Sequence, residues 1–319
     1  MGTDETRDGV ELTNLDQPLF DGADAAKRDL VEYIDAVAER MIKVLADRPL
    51  SVVRVRPGQK PFMQKNTPKY APDWIDRVDL WAETSKRTVS YAVANDRRTL
   101  IWFANQRAVE YHPTLAPTSA FDEPTHLVLD LDPPGADAFD MAVEVALAVR
   151  EALAANDLDG AVKTSGSKGI HIFVPVEPGL GMDDAAAATR ALAAHAAALV
   201  PDVATTAFLK DDREGKLFVD STRVGWGTVV AAYSPRIRPG VPVSYPVAWE
   251  DLAGVVPSEL TMRTVLERLG DDDPWERSMP PTQSLPAELI AEGHTIPVAR
   301  VQAMHEGKRR RRAAKSGDK

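Results

Sequence analysis

The stretch from Leu127 to Pro134, which reads LVLDLDPP, constrains the fold more than any other part of the chain. Side chains alternate along a β-strand, so Asp130 and Asp132 leave the same face, about 7 Å apart at Cα. Burying unpaired carboxylates is costly, so we expect cationic groups against them. Pro133 and Pro134 end the strand because proline has no N–H for the ladder. The pair therefore lies at a strand end, where sites in open α/β sheets are found.

Composition excludes several kinds of protein. A chain of 319 residues makes one or two domains. It has no cysteine, which excludes disulfides, thiol nucleophiles and zinc-thiolate sites. The N-terminus is polar and no long apolar span follows, so we expect a cytoplasmic protein without a membrane partner.

Charge is distributed unevenly along the chain. The net charge is -10, yet the last stretch, Lys308 to Lys319, carries seven basic residues and one acidic residue, a net of +6. The body is therefore near -16. An acidic body can still bind nucleic acid through a local basic channel, so net charge alone does not show whether this chain binds nucleic acid. The tail is either a solvated, disordered run or a source of salt-dependent DNA affinity.

Hydrophobic periodicity predicts a mixed α and β chain. We predict helices at 26–45, 137–155 (capped by Asp137), 183–200 and 262–269, with a short helix carrying Asn105 and Gln106. We predict strands at 50–56, 88–94, 100–104, 109–112, 127–132, 162–163, 170–176, 217–220 and 227–233. The order β, α, β, β, α, β across 127–233 suggests a ferredoxin-like sheet.

A basic stretch at 60–72 reads KPFMQKNTPKYAP and interleaves lysines with Phe62 and Tyr70. Mixed polar runs broken by proline are usually solvated loops, which is one interpretation. The other is a clamp on nucleic acid, with Lys65 and its neighbours on phosphates and an aromatic ring on a base.

Three aspartates stand at predicted strand ends: Asp130, Asp132 and Asp220. Aspartate without His or Cys partners is a hard-oxygen set, suited to Mg²⁺ or Mn²⁺ rather than zinc. Two such ions serve phosphoryl or nucleotidyl transfer. The alternative is a group of solvated acids.

The stretch 163–171 reads KTSGSKGIH, and it is a candidate phosphate-binding loop. Its glycines and serines leave backbone N–H groups and hydroxyls free for phosphate oxygens, and Lys168 adds charge. It is not a Walker A loop, and a plain hairpin turn is the alternative. From the pattern alone, His171 is by default a core histidine. Several arginines gather around the third aspartate, as a triphosphate site would need: Arg213, Arg223, Arg236 and Arg238.

Nine motifs in order resemble one family. They are ELTNLDQPLF, FMQKN, LIWFANQ, VEYHP, LVLDLDPP, KTSGSKGIHIFVPV, GKLFVDSTR, AAYSPR and PVSYPVAWEDL. Together, from about Glu11 to Arg277, they are similar to the polymerase domain of bacterial ATP-dependent DNA ligase D, a branch of the archaeo-eukaryotic primase superfamily. We expect a stand-alone member, without an attached ligase or nuclease module.

The resemblance implies an α+β protein with a primase-polymerase fold. A ferredoxin-like, RRM-like catalytic sheet would be joined to an N-terminal α/β module. The expected catalytic domain spans 10–295, with the N-terminal module at about 10–115, the catalytic core at about 116–250 and a C-terminal wrap at 251–295. The expected basic tail, disordered, is 296–319.

The resemblance also implies roles for particular residues. The metal-binding and catalytic residues would be Asp130, Asp132 and Asp220, holding two divalent cations, Mn²⁺ or Mg²⁺. The nucleotide-binding residues would be His112, Ser165, Lys168, His171 and Arg236, which replaces the default interpretation of His171. The DNA-binding residues would be Asn14 and Lys27 on a 5′-phosphate, Phe62 and Lys65 in the basic stretch, and Arg213 and Arg223 on primer and template.

The activity so implied is template-dependent nucleotidyl transfer to a primer at gaps or breaks in DNA, using NTPs in preference to dNTPs. The expected partners are gapped or broken DNA, a separate ATP-dependent DNA ligase and an end-binding protein, in the nucleoid. Alternatives are a primase that starts chains de novo, a catalytically silent DNA-end-binding scaffold, and a DxD glycosyltransferase, which the third aspartate and the lysine-glycine loop disfavour.

Three departures from the family pattern concern recognition of the downstream end. Gln17 stands where the family has lysine, Met63 stands where it has a second phenylalanine, and AAYS replaces APYS. Methionine has no π-face, so base stacking should weaken. From Gln17 and Met63 we expect a gap-filling enzyme that depends less on the 5′-phosphate than its ligase-fused relatives do.

Overall fold

The computed structural model describes residues 5–82, 86–224 and 227–298. Of the expected basic tail, 296–319, residues 299–319 lie outside these ranges. The described chain forms two compact units. The first unit takes its residues from Met1–Glu123, Ala161–Ser167 and Trp226–Met279, and the second from Pro124–Gly160, Lys168–Gly225 and Pro280–Lys319.

Along most of the described chain, single helices separate groups of strands. The helices are α1 Lys27–Leu45, α2 Arg97–Asn105, α3 Phe139–Ala154, α4 Met182–Leu199, α5 Met262–Arg268, α6 Pro274–Ser278 and α7 Ala287–Thr295. The strands are β1 Glu5–Arg7, β2 Val10–Leu12, β3 Pro49–Arg56, β4 Gln59–Gln64, β5 Arg77–Ala82, β6 Arg87–Val93, β7 Ala108–Pro113, β8 His126–Asp132, β9 Ala161–Thr164, β10 Ile170–Pro175, β11 Ala204–Thr205, β12 Leu217–Asp220 and β13 Pro246–Val247.

Helix α1 confirms the helix predicted at 26–45. The apolar residues that predicted it, spaced by three and four positions, all lie in the core: Leu30, Ile34, Val37, Met41 and Leu45. The Asp29 carboxylate accepts a hydrogen bond from the Ala26 N–H at 2.7 Å, which satisfies one of the donors at the helix start.

Helix α2 corrects one prediction. Residues 100–104 were expected to form a strand, but they lie inside α2. The Asp96 side chain caps this helix by accepting from the Thr99 N–H at 2.7 Å. All five residues at 100–104 are buried, so a run of apolar side chains here carries no periodicity that separates helix from strand. The predicted short helix around Asn105 is the end of α2.

The first unit contains a five-stranded sheet in the order β4-β3-β6-β5, with β7 also paired to β3. Strand β5 was not predicted. The first five residues of the basic stretch, 60–64, were expected to be a loop but belong to strand β4. Strand β4 pairs antiparallel with β3 around a turn at Gly58, which has φ +72°. The loop prediction therefore holds only after Gln64.

In the second unit β8 is the central strand, paired antiparallel with β10 on one side and β12 on the other. Strand β11 continues parallel to β12. Apart from the two-residue strand β11, the order β8, α3, β9, β10, α4, β12 along the chain confirms the predicted βαββαβ order. Strand β9 pairs with β13 in the first unit.

Two smaller predictions were wrong. Residues 227–233 do not form one of the strands given above. Within this segment the Ala231 N–H donates a hydrogen bond to the Tyr111 carbonyl, and the Tyr233 N–H donates one to the Ser244 carbonyl. Asp137 does not cap α3, which begins at Phe139 without a side-chain cap. Among the described helices, none is long and apolar enough to span a membrane.

Candidate active site

The three predicted aspartates lie on adjacent strands of the second unit. Asp130 and Asp132 are in β8, and Asp220 is the last residue of β12. The register of the two strands makes Asp220 the direct partner of Asp130, and His171 of β10 is the partner of Asp130 on the other side. Directly opposed residues of antiparallel strands have Cα atoms about 4.5–5.5 Å apart, so the fold brings these side chains together.

Asp130 is paired with two basic side chains. Its Oδ2 accepts a hydrogen bond from Arg223 Nε at 2.9 Å, and Arg223 Nη2 lies 2.8 Å away. Its Oδ1 lies 3.3 Å from His171 Nε2. Burial alone would raise the pKa of Asp130, but His171 and Arg223 hold it well below its usual range. Asp130 is therefore a carboxylate at every physiological pH.

Asp220 differs from Asp130 in its electrostatics. It is 6% exposed, and its Oδ1 accepts a hydrogen bond from the Thr222 N–H at 2.8 Å. Arg223 Nε lies 3.3 Å from the other oxygen. Burial raises the pKa of Asp220 in spite of that arginine. Arg223 thus lies between two carboxylates that face each other across neighbouring strands.

Asp132 is the most accessible of the three, with 39% of its side chain exposed. Lys168 Nζ lies 2.9 Å from its Oδ1, and Arg213 Nη1 lies 3.7 Å from its Oδ2. Lys168 also donates to the Pro133 carbonyl. The Arg213 guanidinium stacks 4.0 Å from the centre of the Phe218 ring. The cations expected against the aspartate pair are therefore present.

The chemistry of this donor set fits a hard divalent cation, since it consists of carboxylates without thiolates. As they stand, however, no three His, Cys, Asp or Glu side chains of the described residues form a group that could hold a metal ion. Arg223, Lys168 and His171 occupy the carboxylate oxygens instead. If Asp130 and Asp220 were to hold a metal ion, their oxygens would first have to be released from Arg223.

A second cluster lies in the first unit and includes a residue that the sequence analysis missed. Glu110 Oε2 accepts from His112 Nε2 at 2.9 Å, and Glu110 Oε1 accepts from the Ile237 N–H at 3.0 Å. Arg236 Nε lies 3.2 Å from the same Oε1, and its Nη1 donates to the Ser165 carbonyl. Strand alternation places Glu110 and His112 on one face of β7, which was the available signal.

The titration of these groups follows from their burial and pairing. Burial alone would raise the pKa of Glu110, but the hydrogen bond from His112, the charge of Arg236 and the Ile237 amide lower it to about 2. Burial lowers the pKa of His112, against the opposite effect of Glu110. At neutral pH the imidazole is therefore neutral and donates Nε2–H to a charged Glu110.

Glu110 should stabilise the fold in a way that depends on pH. Its pKa falls from 4.5 to about 2 on folding, so its contribution is complete above pH 4.5 and is lost as pH falls towards 2. We expect Glu110→Gln to lower the free energy of unfolding by about 2–3 kcal/mol at pH 7, and by progressively less below pH 4.5. Urea unfolding of both proteins at pH 7, 5 and 4 measures this. The same difference at all three pH values would contradict the assignment.

The residues predicted to bind a 5′-phosphate lie in the first unit. Lys27 is 2% exposed, and its Nζ donates to the Thr13 carbonyl and, at 2.6 Å, to Asn105 Oδ1. Asn14 has a left-handed backbone, with φ +53°, and its Oδ1 accepts from Gln17 Nε2 at 3.4 Å. The Lys27 ammonium therefore contacts the residue before Asn14, but it is buried rather than exposed to solvent.

The predicted aromatic contact of the basic stretch is covered by arginines. The Phe62 ring has Arg56 at 4.8 Å and Arg54 at 5.9 Å from its centre. Met63, on the opposite face of β4, is 46% exposed. Lys65 follows β4 and is exposed. A base that stacks on Phe62 would meet an arginine there as well.

Comparisons with known proteins agree with this arrangement. The family model described as LigD, primase-polymerase domain, matches residues 26–275. The multifunctional non-homologous end joining DNA repair protein LigD of Mycobacterium tuberculosis is 32% identical over 274 residues, which are 82% of this chain and 36% of that protein. The bifunctional non-homologous end joining protein LigD of Bacillus subtilis is 29% identical over 265 residues, 82% of this chain and 42% of that protein.

A solved structure is also similar. The polymerase domain of Mycobacterium tuberculosis ligase D, in complex with DNA, matches with a TM-score of 0.76 at 31% identity, covering 85% of this chain and 99% of that one. The chain spans about two fifths of the length of the curated relatives. These matches confirm the resemblance and the fold. The chain belongs to the LigD primase-polymerase domain family, whose members are metal-dependent nucleotidyltransferases.

Proposed function

We propose that this protein is a template-dependent polymerase that fills short gaps or extends primers at DNA breaks during repair. The observation that carries the proposal is the placement of Asp130, Asp132 and Asp220 on adjacent strands of a primase-polymerase fold. In the reaction, the primer 3′-oxygen attacks the α-phosphate of a nucleoside triphosphate and pyrophosphate leaves.

The aspartates would hold two divalent cations, Mn²⁺ or Mg²⁺. When bound, such ions activate the attacking oxygen and neutralise charge that develops on the phosphates. Lys168 lies 2.9 Å from Asp132 and His171 lies 3.3 Å from Asp130, and these contacts hold the two aspartates in position. Arg223 pairs with Asp130 and Asp220 in this structure. If cations took its place there, Arg223 would be free to contact the primer or template strand.

We assign binding of the triphosphate to His112, Ser165, Lys168, His171 and Arg236. Among these, Arg236 is fixed by Glu110 and by the Ser165 carbonyl, so its guanidinium is preorganised. Arginine suits this role because its planar fork matches phosphate oxygens. Preference for ribonucleotides is part of the proposal.

The partners follow from the relatives. The Mycobacterium tuberculosis domain was solved in complex with DNA, and the curated relatives are named for non-homologous end joining. We propose gapped or broken DNA as the substrate here, with Asn14, Lys27, Phe62, Lys65, Arg213 and Arg223 contacting it. A separate ATP-dependent ligase and an end-binding protein, in the nucleoid, would complete the repair reaction.

The test is extension of a labelled primer across a one-nucleotide gap, with Mn²⁺ or Mg²⁺ and either NTPs or dNTPs. We expect extension by one templated nucleotide, more with NTPs, and none by the Asp130→Ala, Asp132→Ala double variant. Synthesis on single-stranded template without a primer would support de novo priming instead. No extension with any metal would overturn the proposal and leave a DNA-binding scaffold.

A further inference from the structure

Glu110 and His112 lie on the same face of β7, and the contact between them decides which nitrogen of the imidazole carries the proton. His112 Nε2 lies 2.9 Å from Glu110 Oε2. Glu110 is a buried carboxylate whose pKa is lowered to about 2, so at neutral pH it can only accept a hydrogen bond. The proton in this contact therefore belongs to His112 Nε2.

The other ring nitrogen, Nδ1, carries no proton when the imidazole is neutral. Burial lowers the pKa of His112, and the positive charges of Arg236 and Lys163 lower it further, whereas Glu110 raises it. Ser51, the partner of His112 on the neighbouring strand β3, is uncharged. A neutral imidazole with its proton on Nε2 has a hydrogen-bond acceptor at Nδ1. No residue in the described ranges donates a hydrogen bond to that nitrogen, and 12% of the side chain is exposed.

The acceptor at Nδ1 limits which part of a nucleotide His112 can bind. The phosphate oxygens of a nucleoside triphosphate are largely ionised at pH 7, so they are acceptors themselves and have no proton to donate to Nδ1. A sugar hydroxyl does donate. Arg236 differs from His112 in this respect, because a guanidinium has donors only and suits the phosphates. Glu110 thus contacts two residues with opposite ligand preferences.

We propose that Glu110 is a positioning residue for nucleotide selection: by holding the proton of His112 on Nε2, it makes Nδ1 the acceptor for a sugar hydroxyl of the incoming nucleotide. This role rests on the proposed function, and it narrows the part of the nucleotide that His112 contacts to the sugar. A nucleotide without the hydroxyl leaves Nδ1 without a partner. A site built to bond a hydroxyl discriminates strongly against the analogue that lacks it.

Glu110→Gln should reverse the tautomer while keeping the shape of the side chain. Glu110 Oε1 accepts from the Ile237 N–H at 3.0 Å and lies 3.2 Å from Arg236 Nε, so both groups require an oxygen at that position. The amide oxygen of the new side chain would satisfy them, and its NH₂ group would then face His112. Because an NH₂ group only donates, His112 Nε2 has to accept, and the ring proton moves to Nδ1.

The experiment compares the kcat/KM for a single incorporation of ATP with that of its 2′-deoxy, 2′-fluoro, 3′-deoxy and 3′-fluoro analogues. Fluorine can accept a hydrogen bond but cannot donate one. At the recognised position, the wild type should therefore prefer hydroxyl over both fluorine and hydrogen by about tenfold or more. Discrimination at the 2′ position would give the preference for ribonucleotides this physical cause, and discrimination at the 3′ position would assign the other hydroxyl to His112.

The same nucleotides test the role of Glu110. With a donor at Nδ1, Glu110→Gln should accept fluorine better, so its preference for hydroxyl over fluorine should fall several-fold. The variant is less stable, but each ratio compares nucleotides on one protein, so a smaller folded fraction cancels. Displacement of Arg236 would weaken all five nucleotides alike and leave the ratios unchanged, an outcome that overturns the proposal. The matched control is Glu267→Gln, an exposed acid of α5, which should keep every ratio.

Two measurements do not need catalysis, so they separate this inference from the proposed function. Nitrogen-15 NMR at pH 7, with the His112 signals identified by their loss in His112→Asn, should show the proton on Nε2 in the wild type and on Nδ1 in Glu110→Gln. Calorimetry of the five nucleotides gives their affinities. If no protein extends a primer but the wild type binds ATP about tenfold more tightly than one deoxy and fluoro pair, the inference stands without the polymerase. A proton on Nδ1 in the wild type, or equal affinities for all five nucleotides, would refute it.

Discussion

Asp132→Asn should lower primer extension by about a thousandfold or more, since metal-ion catalysis contributes several kcal/mol of transition-state stabilisation. The substitution keeps the shape of the side chain and removes its charge. Asp132 is the most exposed of the three aspartates, so the fold should tolerate the change. The measurement is the single-turnover rate on a one-nucleotide gap at saturating nucleotide.

The matched control is Asp137→Asn. Asp137 is an exposed acid five residues further along, and no role is assigned to it. Its variant should extend at the wild-type rate. If Asp132→Asn retained more than about a tenth of the wild-type rate while Asp137→Asn was normal, the assignment of Asp132 as a metal ligand would be wrong.

Gly169→Ala should disable the site through backbone packing alone. A Cβ at this position would lie 2.1 Å from the Leu131 carbonyl oxygen, and Leu131 stands between the two aspartates of β8. Backbone cannot yield as a flexible side chain does, so β8 and the start of β10 have to separate. We expect the free energy of unfolding to fall by about 2 kcal/mol and the rate of primer extension to fall about a hundredfold.

The control is Gly181→Ala, in the same unit, where nothing lies within 4 Å of the added Cβ. Thermal unfolding and single-turnover extension of both variants check the prediction. Equal melting temperatures and rates for Gly169→Ala and the wild type would show that the strands accommodate the methyl group, and that the clash does not govern the site.

Local pattern was sufficient for much of the fold and for the identity of the aspartates. The spacing of Leu30, Ile34 and Val37 predicted α1, because one face of a helix is set by residues three and four apart. The LVLDLDPP stretch predicted a strand with two carboxylates on one face near its end, because alternation and proline are both local constraints. Most of helix α2 was predicted as a strand, because a short helix that is buried on most sides shows no hydrophobic periodicity.

Other features depend on which distant residues meet, and only the tertiary structure decides that. Glu110 forms an ion pair with Arg236, which lies in the loop after Tyr233 and is far from Glu110 in the sequence. Arg223 lies between Asp130 and Asp220 because the β8–β12 register makes these two aspartates direct partners. Lys27 is unusual for a buried lysine because its partners are uncharged, which no spacing in the sequence reveals. Sequence alone determined which groups are present, and long-range strand register and burial determined which charges are paired.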